Sequence, residues 1–477
     1  MLINTGTVVH PLEPDRDGMT ELGYAVLGRA VEFVESLPDR PATGTIPEAG
    51  GLAPDTAIAL VRELLAPPPE QPGDLASVLD RLERAIGYAY ETAGPGYFAY
   101  VPGGGLFAAA VADLYARVTN RYVSVVAPAP GPVALEHSVL RWLADVCGLP
   151  AGSGGVLVSG GSIANFSALV AARHAGLGEE IAAGTLYVTA HAHQSVAKAA
   201  RLAGLPATAV RTVPCTRELR MDVAAAATMI AADRRAGRRP FLLVGSAGTT
   251  NTGAVDPLSE LADLAGRERL WFHVDAAYGG FFRLTARGRQ RLHGIERADS
   301  VTLDPHKTLF MPFGIGALVV RDPARLRAAH QVGGRYLPTL ADDLELTDFA
   351  PAGPELSREA RGIQVWLPLH LYGVAAFRSA LDEKLDLTRT AYEKLAAEPA
   401  LDVPWQPDLS VVAFRMADDD ATGRLLDVVN ASGRFFLSST VIDGRLILRM
   451  CIVSHRSHAD RVAEATDLIT AAARALR

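Results

Sequence analysis

The sequence predicts an α/β fold with a mainly parallel sheet, preceded by a helical segment and followed by a smaller α+β domain. Three observations predict it. From about Gly154 short apolar runs alternate with stretches of helical spacing: GVLVSG then SIANFSALVAARHAG, TLYVTA then QSVAKAARLAG, FLLVGSAG then DPLSELADLAGRE. The runs LWFHVDA, SVTLD and GALVVRD follow. Buried strands alternating with helices are the pattern of a parallel sheet with crossover helices. Finally, Ser162, His193, Thr250, Asp275 and Lys307 each fall just past an apolar run, where open α/β sheets gather their ligands.

The elements follow in chain order. ELGYAVLGRAVEFVESL and PDTAIALVRELL carry apolar residues at helical spacing. APPPEQPGD, from Ala66 to Asp74, is a turn or short linker. ETAGPGYFAYVPGGG leads into the helical pattern LFAAAVADLYARVTN, and the alternating region follows. Beyond about Val374 a helix precedes LSVVAFRM, RLILRMCIV and a last helix. The expected organisation is an N-terminal helical segment over 1–92, a large α/β domain over 93–370 and a small α+β domain over 371–477.

Composition narrows the class. The chain has 477 residues, 49% hydrophobic and 21% charged, which is ordinary for a globular protein with a large core. A net charge of -7 without a dense Lys/Arg run argues against nucleic acid as a partner. Cys147, Cys215 and Cys451 are far apart and odd in number, so neither a disulfide framework nor a zinc site is expected, and a cytoplasmic protein is. No signal-peptide pattern opens the chain, and no apolar run reaches the ~18 residues that a membrane helix needs.

Five strand-end features point to one ligand. VSGGSIANF sets Gly160, Gly161 and Ser162 between a strand and a helix start, where free N–H groups and a hydroxyl form a phosphate cup. Neither a P-loop nor Gly-x-Gly-x-x-Gly is present. LWFHVDAAYGG ends a buried strand on Asp275, a carboxylate that needs a partner, and the small Ala276 and Ala277 leave room for a flat ring. TAHAHQSVAKA offers His193 for stacking. His191 and His193 also invite a metal reading, which we set aside, and no metal is expected. SAGTTNTGAVDP supplies Thr249 and Thr250. LDPHKTLFMP brings Lys307 directly after His306; by itself it would be an Asp-Pro surface turn. Pyridoxal phosphate needs all five at once: it has a phosphate, a protonatable ring nitrogen, two flat faces and an aldehyde that a lysine must hold.

HVDAAYGG, DPHK, AHQSV and GTT stand in an order and spacing similar to those of the pyridoxal-phosphate-dependent (group II) amino acid decarboxylases related to aromatic-L-amino-acid decarboxylase. The resemblance runs from GYFAYVP to LRMCIVSHRSHADRV. It implies a fold-type-I enzyme and a homodimer. It implies that Lys307 holds the cofactor, Asp275 pairs with the ring nitrogen, and His193 and Ala277 cover the two ring faces. Gly161 and Ser162 would bind the phosphate, Thr250 would lie near the ring and His306 precedes the lysine. Tyr336, in GGRYLPTLADD, matches the loop tyrosine that returns a proton to Cα after carbon dioxide leaves.

Departures fall on the substrate side. Tyr100 and Pro102 resemble the family pocket, but Gly103 to Gly105 follow them, and Ser124 and Val126 stand where aromatic decarboxylases carry bulky rings. Asp304 opens DPHK where some relatives have Asn, and an acid there would repel phosphate. The sequence therefore reads as an L-amino acid decarboxylase yielding the amine and carbon dioxide, its substrate not a simple aromatic amino acid. Decarboxylation coupled to oxidative deamination, another pyridoxal-phosphate lyase, and a cofactor-binding protein without turnover are the alternatives. Intact Lys307, Asp275, His193 and Tyr336 count against the last.

Overall fold

A computed structural model describes residues 12–45, 53–331 and 346–477. The chain divides into two compact units, Met1–Tyr97 with Val429–Phe436, and Phe98–Val428 with Leu437–Arg477.

The smaller unit holds helices Arg16–Ser36, Pro54–Leu64 and Leu75–Gly87. Asp15 and Asp74 cap the first and third, accepting the N–H groups of Gly18 at 2.9 Å and Ser77 at 3.0 Å. Pro54 begins the second, at the position where its missing N–H costs nothing. Helix Arg16–Ser36 buries none of its residues, and Met19, Leu22, Tyr24 and Val26 on it are exposed.

The larger unit is built on seven strands: β1 (Gly154–Val158), β2 (Gly184–Thr189), β3 (Val210–Val213), β4 (Arg239–Ser246), β5 (Trp271–Asp275), β6 (Ser300–Leu303) and β7 (Gly316–Val320). Their order is β1-β7-β6-β5-β4-β2-β3. The run from β6 to β3 is parallel throughout, and β7 is antiparallel to both β1 and β6. This is the expected mainly parallel α/β sheet. Six strands are the apolar runs of the sequence. The seventh, β3, is a short edge strand whose VRTV is only partly buried, so it carries no continuous apolar signal.

Helix Gly161–Leu177 leaves β1 and lies on the sheet through buried Ala164, Ala168, Ala171 and Ala172. Small side chains let a helix approach a sheet closely, which brings its first turn over the ends of β5 and β6. A second sheet, β8 (Val411–Phe414), β9 (Ser438–Ile442) and β10 (Arg445–Cys451), is antiparallel in the order β8-β10-β9. Helix Ala459–Leu476 closes the chain. No helix among the described residues is long and apolar enough to cross a membrane.

Candidate active site

The polar residues past the strand ends converge on one cavity of about 300 Å³. Gly161 and Ser162 line it from the start of the helix after β1. His193 enters from the loop after β2, Thr250 from the loop after β4, and Asp275 and Ala277 from the end of β5. His306 and Lys307 come from the turn after β6. Eight residues scattered over 147 positions of sequence thus share one space because parallel strands put all their carboxyl ends on one edge.

The turn carrying Lys307 is firmly built. The Lys307 N–H donates to the Asp304 carbonyl at 2.9 Å, His306 Nδ1 lies 2.6 Å from the Ile315 carbonyl, and the Thr308 hydroxyl donates to the Tyr278 carbonyl at 2.7 Å. Lys307 Nζ pairs with Asp304 Oδ2 at 2.9 Å. Asp304 is 2% exposed, and its other oxygen, Oδ1, is buried without a hydrogen-bond partner. Gly161 is tightly enclosed here: a Cβ would stand 2.8 Å from Asp304 Oδ2 and 3.3 Å from the Ala277 methyl, so the Asp304 side chain would have to shift. Gly103 is constrained in the same way, because a Cβ there would fall 2.2 Å from the Lys307 carbonyl oxygen. The glycine segment after Pro102 therefore runs against the backbone of the lysine turn, with the Gly103 N–H donating to the His306 carbonyl at 3.1 Å.

Asp275 accepts two donors, Asn165 Nδ2 at 2.9 Å and the Ala277 N–H at 3.2 Å. His193 Nδ1 accepts the Ser195 N–H at 3.2 Å and lies 2.8 Å from the Ser195 hydroxyl. Beneath them, burial pushes His273 down to about 4 against the opposing pull of Asp275. The Thr250 carbonyl accepts Arg449 Nη2 at 2.6 Å, which fixes the loop after β4.

Tyr100, Pro102, Ser124 and Val126 do not line this cavity in the single chain. Ser124 is fully buried and gives its hydroxyl hydrogen to the Leu356 carbonyl, while the Val126 N–H donates to Asp348 Oδ1 at 2.7 Å. Tyr336 lies outside the described residues. Asn165, Ser195 and Asp304 line the cavity without having been assigned to it from sequence. A signal was there for the layer beneath: Trp271, His273 and Asp275 alternate on β5, as Ser300 and Thr302 do on β6, so a polar stripe lies on one sheet face.

A model of the pyridoxal-dependent decarboxylase conserved domain matches residues 60–417. The chain belongs to this family. Its members are amino acid carboxy-lyases, and the cofactor is pyridoxal 5'-phosphate. The decarboxylase is 32% identical over 457 residues to the aromatic-L-amino-acid decarboxylase of Bacillus atrophaeus, covering 94% of this chain and 93% of that one. It is 27% identical over 495 residues to the phenylacetaldehyde synthase of Arabidopsis thaliana, covering 98% and 97%. The solved structure of Oryza sativa TDC with PLP and tryptamine superposes with a TM-score of 0.91 at 27% identity, covering 98% of this chain and 99% of that one. The cavity of this decarboxylase fits the cofactor by its own chemistry. It combines a lysine amine, a carboxylate held by two donors, and a side-chain-free floor at a helix start.

Proposed function

We propose that this decarboxylase releases carbon dioxide from an L-amino acid and returns the amine, and that its substrate is not phenylalanine, tyrosine or tryptophan. The observation that carries the reading is the meeting of Lys307, Asp275 and the Gly161 floor in one cavity. Bound there, pyridoxal phosphate supplies an electron sink for the pair of electrons left when the carboxyl group departs.

The chain's own residues divide the remaining work. Lys307 Nζ would hold the cofactor aldehyde, and the Gly161 and Ser162 N–H groups with the Ser162 hydroxyl would bind the phosphate. Asp275 would face the ring nitrogen and keep a proton there. His193 and Ala277 would cover opposite ring faces, with Thr250 and His306 flanking them. Stacking by His193 and Ala277 would hold the ring plane and so select which bond at Cα is broken. Tyr336 is proposed, on the family resemblance, as the acid that protonates Cα. Tyr100, Pro102, Ser124 and Val126 remain the proposed substrate-side residues, with Ser124 and Val126 small where aromatic walls would otherwise stand.

A homodimer is part of this reading. The exposed apolar residues of helix Arg16–Ser36, none of whose residues is fully buried, support a second copy covering it. Three free cysteines, two of them buried, agree with a cytoplasmic protein.

Asp304 yields a prediction on the cofactor. Its carboxylate stands beside the proposed phosphate floor and ties up Lys307 in an ion pair. Asp304→Asn removes both obstacles, so pyridoxal phosphate should bind about 10-fold tighter in an absorbance titration. Weaker binding would mean that the acid helps to hold the cofactor.

The similarity to a phenylacetaldehyde synthase favours one second reading, in which the product is an aldehyde. A panel of amino acids, with carbon dioxide, amine, aldehyde and oxygen all measured, separates the two. Carbon dioxide with one equivalent of amine and no oxygen uptake is expected. Oxygen consumed in step with carbon dioxide establishes the aldehyde reading instead, and tyrosine or tryptophan turning over far better than all others overturns the substrate reading.

A further inference from the structure

Asn165 sits in the first helical turns after β1, 3% exposed, between the sheet face and the cavity. Its amide has four hydrogen-bonding valences and all four are used. Nδ2 donates to Asp275 Oδ2 at 2.9 Å and to Ser195 Oγ at 2.8 Å. Oδ1 accepts the Thr302 hydroxyl at 2.7 Å and lies 3.0 Å from His273 Nε2. A carboxylate only accepts, so the amide cannot be turned the other way round.

That orientation sets every proton around it. Oδ1 needs a hydrogen from His273, so His273 carries its proton on Nε2 and leaves Nδ1 bare. The Ser300 hydroxyl, 2.8 Å away, then donates to Nδ1 and accepts the indole N–H of Trp271, also at 2.8 Å. On the cavity side, Ser195 Oγ has accepted from Asn165 and turns its own hydrogen to His193 Nδ1. The Ser195 backbone N–H reaches the same nitrogen, and a backbone N–H can only donate. The neutral His193 ring is thereby left with its hydrogen on Nε2. The donor sequence runs in one direction, from Trp271 through Ser300, His273 and Asn165 to Asp275 and His193. Its buried histidine is held neutral, as burial requires.

We propose that Asn165 is a positioning residue that sets two of the cofactor's neighbours together: it orients the Asp275 carboxylate and, through Ser195, fixes which nitrogen of the stacking His193 carries the hydrogen. The inference rests on the reading that this cavity holds pyridoxal phosphate with Asp275 at the ring nitrogen. Asn165 lines the cavity but acts in this scheme through Asp275 and Ser195. A replacement that cannot donate leaves Asp275 with the Ala277 N–H alone. An aspartate would set a second carboxylate within about 3 Å of the first, and two such groups must share a proton or repel.

The test is a titration of apoprotein with pyridoxal phosphate, following the visible band and Kd from pH 6 to 8.5, for the wild type and for Asn165→Asp, Asn165→Ala and Asn165→Ser. Thermal unfolding of each apoprotein reports whether it folds. Asn165→Ala and Asn165→Ser are expected to bind about 10- to 100-fold more weakly. Asn165→Asp should bind more weakly still at high pH and recover toward pH 6 relative to the wild type at the same pH. A folded variant with wild-type Kd, band and pH profile overturns the proposal and leaves Asn165 as packing. Asn165→Ser keeps a small polar group and decides alone if the other two do not fold. A wild type that itself fails to bind refutes the reading of the cavity rather than the role of Asn165.

Discussion

Lys307→Ala is expected to lose turnover by on the order of 10⁴-fold, at the upper end for a single acid–base group, because the same amine must also anchor the cofactor. Lys307→Arg is expected to fare no better. An arginine would preserve the positive charge facing Asp304, now 2.9 Å from Nζ, but it stays protonated and does not act as a nucleophile toward the aldehyde. The pair of variants therefore separates two roles for the residue. If charge compensation of Asp304 were all that Lys307 did, the arginine variant would retain most of the activity. Steady-state assays at saturating pyridoxal phosphate, with folding checked by thermal unfolding, are sufficient to decide.

Asp275→Asn is expected to keep the cofactor attached and to lose about 10²- to 10³-fold in turnover, the scale of removing one preorganised electrostatic contact. The shape is preserved and the charge is not. A carboxylate facing the ring nitrogen keeps it protonated and so stabilises negative charge delocalised from Cα; a neutral amide does so far less. Asn165 and the Ala277 N–H each donate to one carboxylate oxygen, so the amide keeps one of these contacts and gives up the other together with the charge. Turnover within a few-fold of wild type would reduce Asp275 to a structural cap on the turn after β5.

Much of this molecule was legible in its sequence, for a physical reason. A strand buried on both faces must be apolar along its whole length, so LYV in β2 and FLLV in β4 announce themselves. A polar residue directly after such a run is conspicuous, and the strand-end logic then collects Ser162, His193, Thr250, Asp275 and Lys307 at one edge. What stayed hidden depends on contacts distant in sequence. Ser124 looks like an open pocket position, yet its hydroxyl is taken by the carbonyl of Leu356, 232 residues later. Asn165 reads as one polar residue in a small-residue helix until β5 and β6 are laid beneath it. The edge strand β3 is short and half wet, and nothing in VRTV separates it from a loop.

Covalent mapping of the cofactor tests the account most directly. The chain contains only four lysines, Lys198, Lys307, Lys384 and Lys394, so an adduct can be placed without ambiguity. Lys384 is buried against the Ser457 carbonyl and Glu383, and Lys394 pairs with Asp467 at 2.7 Å. Only Lys307 of the four lines the cavity. The protein loaded with pyridoxal phosphate should be reduced with borohydride, digested and examined by mass spectrometry. The account predicts a pyridoxyl group on the peptide carrying Lys307 and on no other. An adduct at Lys198, Lys384 or Lys394 in its place, or no adduct at all, would contradict it.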